Sequence, residues 1–367
     1  VGDFRIFNWQ EMKLGEYLYS AGEVTRLMMH PRGPDSGFNV YPGEGARWTY
    51  FGTSGTTHAL GEPAYIVRPL PSGVTPLANG LPVFDVVYEN DDDPMARRGK
   101  NSRLLFTAPA DGLYTVTVED TRGEGGDAYD YQLAVRPAAP SFVAKVNPLN
   151  QPLRPASGRE FKLSIDREDG FDGEVTYEIE GLPDRLRSNF PVVIEPGQKS
   201  ATAMIWAGPN EKGWEGEIQP TLTAWAMING RRVERVVGNA GKLTYDANRV
   251  AAIPMIKPID EEIAAYEHWT LRVRRGETAM ARVAIDRKDG FKNEVSFGKE
   301  FAGRNASQGV YVDNIGLNGL LIVAGASERD FFITADETAV PGKRLFHLKA
   351  NNDGGVTSQP ITVEVLP

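Results

Sequence analysis

Two short stretches carry side chains whose types and spacing could do more than fold. Glu89-Asn90-Asp91-Asp92-Asp93 places four carboxylates within five positions. Carboxylates that close repel one another unless they splay into water or share a cation. Calcium takes about six to eight oxygen ligands, often gathered around turns, and Asp120, Asp127 and Asp130 stand in neighbouring turns of the same expected sheet. Glu89, Asp91, Asp92, Asp93, Asp120, Asp127 and Asp130 are therefore the candidate ligands of a structural calcium. The alternative is a solvated acidic loop partly balanced by Arg97, Arg98 and Lys100. In the second stretch, Arg47-Trp48-Thr49-Tyr50-Phe51, the period of a strand puts Trp48 and Tyr50 on one face. Flat rings beside an arginine suit stacking on sugars, with hydrogen bonds at the rim. Arg47, Trp48 and Tyr50 are the candidate polysaccharide contacts, the alternative being that this face is core.

Catalysis has less to stand on. The four histidines, His30, His58, His268 and His347, show no paired spacing, and the chain contains no H-E-x-x-H, no G-x-S-x-G and no phosphate-binding glycine loop. Without a nucleophile–base pair no catalytic residue is assigned, and the chain is expected not to be an enzyme. There is no cysteine, which removes disulfides, thiolate zinc sites and C-x-x-C-H haem attachment. A net charge of −9 argues against nucleic acid, whose phosphates demand a basic face. No apolar run approaches the ~20 residues that span a bilayer. The opening at Val1 does not read as a signal peptide, so a mature product or a piece of a larger protein is expected.

The elements that must position these residues read as strands throughout. The 25 Pro and 39 Gly are spread as turn punctuation, and 367 residues suit two or three domains. An internal repeat sets their size. Ile165-Asp166-Arg167-Glu168-Asp169-Gly170-Phe171 with Glu174-Val175 returns as Ile285-Asp286-Arg287-Lys288-Asp289-Gly290-Phe291 with Glu294-Val295. Phe161, Leu163 and Ile165 alternate with polar residues, Asp169-Gly170 supplies a turn, and Val175, Tyr177 and Ile179 resume the alternation: strand, tight turn, strand. The repeat is acidic enough to raise a cation site, but Glu168 and Asp172 become Lys288 and Lys292 in the second copy. A cation would not accept two ammonium groups there, so the shared aspartates are read as turn residues holding backbone N–H groups. Asn229-Gly230 is a two-residue hairpin signal. Arg136-Pro137-Ala138-Ala139-Pro140 reads as a stiff linker. A second linker, around Asp260-Glu261-Glu262, is expected to make a short helical turn through Ile263-Ala264-Ala265-Tyr266.

The first 137 residues differ from the remainder, and here the chain resembles known proteins. Leu104 to Val116, with the turn Pro109-Ala110-Asp111-Gly112, followed by Tyr131-Gln132-Leu133-Ala134-Val135, resembles the bacterial pre-peptidase C-terminal domain. That resemblance implies a jelly-roll-like β-sandwich on a secreted protein, some members of which bind calcium. Gly22-Glu23-Val24, Pro31 to Phe38, His58 to Pro63 and Tyr88 to Asp93 together resemble secreted planctomycete-type proteins that join cytochrome-like and β-sandwich modules. No haem motif is present, so no redox activity carries over. Gly181-Leu182-Pro183 and Val193-Ile194-Glu195-Pro196-Gly197-Gln198 resemble the Ig-like modules that accompany secreted bacterial hydrolases and adhesins.

The expectation is an all-β chain of three tandem β-sandwich domains. Residues 1–137 would form a jelly-roll-like head, 138–248 an Ig-like unit, and 249–367 its repeat. The function expected is a non-catalytic, extracytoplasmic binding or adhesion segment of a larger secreted protein, with polysaccharide as ligand and calcium as structural ion. A pure spacer between catalytic or redox modules is the alternative, and an enzyme the more distant one. Partners would be extracellular polysaccharide and other modules of the parent protein, with neither nucleic acid nor membrane insertion.

Overall fold

The computed structural model of the chain describes residues 2–5, 17–20, 23–29, 39–41, 48–49, 63–67, 74–75, 101–102, 104–108, 110–120, 122–196, 198–288, 290–298, 302–307, 309–313, 319–335, 337 and 339–367. Among them the chain is all-β. In the head, β1 (Gly2–Arg5), β2 (Tyr17–Ser20), β3 (Glu23–Met29), β4 (Asn39–Tyr41), β5 (Trp48–Thr49) and β6 (Pro63–Val67) form one sheet in the order β1-β6-β2-β3-β4-β5.

Two cores follow. In the first unit, β7 (Ser141–Asn147), β8 (Ser157–Glu168), β10 (Leu186–Ser188) and β12 (Ser200–Ala207) face a second sheet. That sheet contains β9 (Val175–Glu180), β11 (Val192–Ile194), β13 (Thr221–Ile228) and β14 (Arg231–Asn239), in the order β11-β9-β13-β14. Alternation does what the sequence implies: Phe161, Leu163 and Ile165 from one sheet pack with Val175, Tyr177, Leu222 and Ala224 from the other. In the second unit, β15 (Ala252–Lys257), β17 (Thr278–Arg287), β20 (Val310–Asp313) and β22 (Glu328–Ala335) make one sheet, with β18 (Val295–Gly298) and β21 (Leu320–Ile322) as a pair beside it. The facing layer holds β16 (Thr270–Arg274), β19 (Gly303–Arg304), β23 (Gly342–Ala350), β24 (Val356–Thr357) and β25 (Ile361–Leu366). Val283, Ile285, Phe331 and Ile333 meet Leu271, Phe346, Leu348 and Val363 in its core.

The repeat has a physical job in both copies. Arg167 donates from Nη1 to the Gly173 carbonyl at 2.6 Å, from Nη2 to Glu195 at 2.8 Å and from Nε to Gln198 at 3.1 Å. Its guanidinium carbon lies 5.4 Å from the Phe171 ring centroid. Arg287 repeats this, reaching the Asn293 carbonyl at 2.7 Å and Ala326 at 2.7 and 3.1 Å, with Phe291 at 5.6 Å. Each arginine clips its turn through charge-assisted bonds and a cation–π contact. Gly170 and Gly290 turn at φ 77° and 82°. The shared aspartates reach outward: Asp166 pairs with Lys145, Asp286 with Arg249 and the Tyr266 hydroxyl, and Asp169 accepts from the Ala139 N–H and pairs with Arg136 of the linker.

Three local expectations meet the structure differently. Asn229 and Gly230 both take positive φ, 50° and 76°, and join β13 to β14 as the hairpin signal requires. The stretch 263–266 is not a helix; a turn over 264–267 is closed by the Glu267 N–H on the Ala264 carbonyl. Leu104–Phe106, Leu113–Val118 and Tyr129–Val135, read as strands, are exposed and form no ladder with any described residue. Alternation prepares a surface for pairing, but a strand exists only where a neighbour takes its N–H and C=O groups.

Candidate functional site

Of the sequence-derived candidates, Arg47, Tyr50, Glu89, Asp91, Asp92 and Asp93 lie outside the described residues, and Trp48 is described as backbone in β5, opposite Val40 of β4. Asp120, Asp127 and Asp130 are exposed. Asp120 Oδ1 accepts the N–H groups of Arg122 at 2.9 Å and Glu124 at 3.3 Å, which is turn-holding work. No three His, Asp or Glu side chains among the described residues are gathered as a metal site.

What the described residues do gather is a charged seam between the two sandwiches. β8 of the first unit pairs with β24 of the second at Gly158 and Thr357, so one sheet runs β10-β12-β8-β24-β23-β25-β16 through both units. Glu160, two positions beyond the crossing, has its side chain almost fully buried, and the side chains of Arg304, Lys349 and His347 of the second unit converge on it. Arg304 Nε and His347 Nε2 each lie 3.0 Å from Oε1, and Lys349 Nζ lies 3.0 Å from Oε2. His347 is wholly inaccessible; because an ionised carboxylate only accepts, the ring hydrogen facing it sits on Nε2. Arg159, on the opposite face of β8, donates from Nη1 to the carbonyls of Asp353 at 2.7 Å and Gly355 at 2.6 Å. Arg344 Nη2 reaches Glu195 Oε1 at 3.1 Å, and Arg154 bridges Asp246 at 2.9 Å and Asp353 at 3.7 Å.

An apolar patch flanks these charges. Ala156 of the first unit packs with Val250, Ile253 and Val356, and Tyr266 leans on them. The Tyr266 ring lies 6.0 Å from fully buried Trp206, whose other neighbour is the Arg187 guanidinium at 5.5 Å. Among the described residues, the buried side-chain atoms lacking a hydrogen-bond partner are Arg154 Nε, Trp206 Nε1, His347 Nδ1, Asn352 Oδ1, Thr357 Oγ1 and Gln359 Oε1. All belong to segments that meet at this seam. Such a boundary fixes register more than it adds stability, since each charge would be costly in any other alignment.

Burial would raise the Glu160 carboxyl, but the His347 hydrogen bond and the charges of His347, Arg304 and Lys349 outweigh it and bring it down to about 2. A depressed acid contributes stability that is complete above its unfolded value and is lost as pH falls through the folded one. Acidifying from pH 4.5 toward 2 is therefore expected to remove roughly 3 kcal/mol through this group. Denaturant melts across that window check it; a Glu160→Gln chain should lose that part of the acid slope, and an unchanged slope would count against the assignment.

The signals for this seam were faint. Arg159 occupies an inward position of the alternating strand that carries Phe161 and Leu163, where a charge must find partners. Phe346, His347 and Leu348 are buried in succession, so β23 is covered on both faces. The histidine spacing alone concealed His347, because its partner lies 187 positions away.

No family model and no curated protein matches the chain. The resemblance of residues 15–140 thus rests on the residues that suggested it. Among solved structures, the chain is similar to a protein of unknown function from Porphyromonas gingivalis W83, with 10% identity over 61% of this chain and 99% of that one, at a TM-score of 0.22. It is also similar to domains 5–6 of the S-layer protein SbsC, with 16% identity over 62% and 99% at 0.23. A third similarity is to the fibronectin(III)-like modules of Clostridium thermocellum CbhA, with 14% identity over 61% and 93% at 0.17. The chain's own sheets and cores define its fold.

Proposed function

We propose that the chain is a non-catalytic, extracytoplasmic binding and adhesion segment in which residues 138–248 and 249–367 form a stiff support for the head, residues 1–137. The observation that supports this is the seam. Two sandwiches joined by a flexible linker would reorient freely, whereas here one sheet and a buried ion cluster cross the boundary. A stiff support is what a segment needs if it is to hold a contact surface away from its anchor.

The head's candidate contacts lie in its sequence. Arg47, Trp48 and Tyr50 would stack on polysaccharide, and Glu89, Asp91, Asp92 and Asp93, with Asp120, Asp127 and Asp130, would hold calcium. The seam equally suits the spacer alternative, so the test must separate the two. X-ray scattering of the whole chain is expected to fit one fixed arrangement of the two sandwiches, and a broad spread of arrangements would sink the stiff support. A glycan array probed with the whole chain, with and without chelator, is expected to give polysaccharide signals that weaken on Trp48→Ala. A blank array leaves the spacer.

A further inference from the structure

The two sandwiches share a second feature, in how each closes on itself. In the second unit β16, which follows β15 in the chain, pairs in parallel with β25, the last strand of the unit. Five residue pairs run in register, from Thr270↔Thr362 to Arg274↔Leu366. The ladder is extended at one end by the Thr362 N–H on the Trp269 carbonyl at 3.0 Å and at the other by the Arg275 N–H on Leu366 at 3.1 Å. Its inner face is core, through Leu271, Val273, Val363 and Val365, and its outer face carries the Arg272–Glu364 pair at 3.1 Å.

The first unit closes in the same sense. Leu149 and Leu153, just after β7, make parallel bridges to Gly241 and Tyr245, just before the unit ends. The Leu149 N–H donates to the Ala240 carbonyl at 2.8 Å, Leu153 to Thr244 at 2.9 Å, and Asp246 back to Leu153 at 2.8 Å. Gly241 sits at φ 126°, and a Cβ there would stand 2.3 Å from the Leu149 carbonyl oxygen, so the two backbones touch without side chains between them.

Direction is the point. In a parallel pair the entering end of one strand and the leaving end of the other lie at opposite ends of the ladder. Tension carried across residues 149–246 or 270–366 therefore slides the two strands of each closure past one another and strains every rung together. Had the same strands been antiparallel, the ends would sit side by side and the ladder would open one rung at a time.

We propose that residues 141–367 are a force-bearing element, with the parallel closures at 149–153/240–246 and 270–274/361–366 as its two clamps. The proposal goes beyond the stiff support and does not depend on the head's ligand. A seam could fix orientation and still part under load, and a clamp could hold in a chain whose units swivel.

The chain has no cysteine, so two introduced thiols define the pulling points. Whole chains carrying Ala138→Cys with Pro367→Cys are pulled end to end. A second form, Arg275→Cys with Pro367→Cys, attaches both handles at the same end of the β16–β25 ladder and peels it. All these positions are exposed. Release of residues 270–366 is expected to need severalfold higher force end to end than by peeling at the same loading rate. Equal forces in the two geometries would overturn the proposal. If the Arg275 variant melts below the parent, Glu277→Cys, exposed just beyond it, gives the same peeling geometry. The scattering measurement above reports the stiff support independently, so either idea can fail without the other.

Discussion

Glu160→Ala is expected to cost about 3–5 kcal/mol, the range for removing one partner of a buried ion pair, and to turn one cooperative unfolding transition of residues 141–367 into two. The reason is asymmetry among the partners. Arg304 and Lys349 keep 28% and 35% of their side-chain surface and can turn to water, but His347 has none. Its Nδ1 already lacks a partner, and the substitution strips Nε2 as well. An imidazole buried with both nitrogens unsatisfied carries the full desolvation penalty. Glu160→Gln should cost less, since an amide oxygen still accepts one hydrogen bond. Scanning calorimetry reads both effects, and a single unaltered transition in the alanine variant would show that the seam does not couple the units.

Gly158→Ala is expected to destabilise the sheet crossing by about 1–3 kcal/mol, the usual cost of overpacking. The added Cβ would lie 2.3 Å from Thr357 Oγ1, 2.8 Å from the Ile205 carbonyl oxygen and 3.0 Å from Trp206 Cδ1. The first of these is a side chain that can be removed, and the second is backbone within the β8–β12 ladder that cannot yield without losing rungs. Thr357→Ala in the same chain should therefore recover part of the loss and not all of it. That non-additivity is what contact between the two positions requires. Chemical denaturation of the two single variants and the double variant gives the cycle, and strict additivity would argue that strand β24 does not press on β8.

Much of the fold is legible in the sequence. The duplicated strand–turn–strand, the Asn229-Gly230 hairpin and the alternation of Phe161, Leu163 and Ile165 are local signals, each written within ten residues or so. The reason for the duplication was less visible. Arg167 and Arg287 are repeated because each holds the carbonyls of its own turn, with Arg167 also reaching Glu195 and Gln198 and Arg287 also reaching Ala326. Only the near end of that reach shows in the repeat. The seam was barely legible, because Glu160 stands 144 positions from Arg304 and 187 from His347 and shares no motif with either. The same limit explains Leu113–Val118: its apolar and polar side chains alternate as in a strand, yet alternation names no partner.

Gly158 also bears on how this protein can be divided or recombined. Repeated β modules are commonly treated as interchangeable beads, cut at the linker and grafted elsewhere. Here a cut near residue 248 would open the sheet at its middle, bare the indole of Trp206, and leave Glu160 on one fragment and its partners Arg304, His347 and Lys349 on the other. The pair behaves as one heritable part. Shuffling, truncation or fusion should respect residues 141–367 as the smallest portable piece.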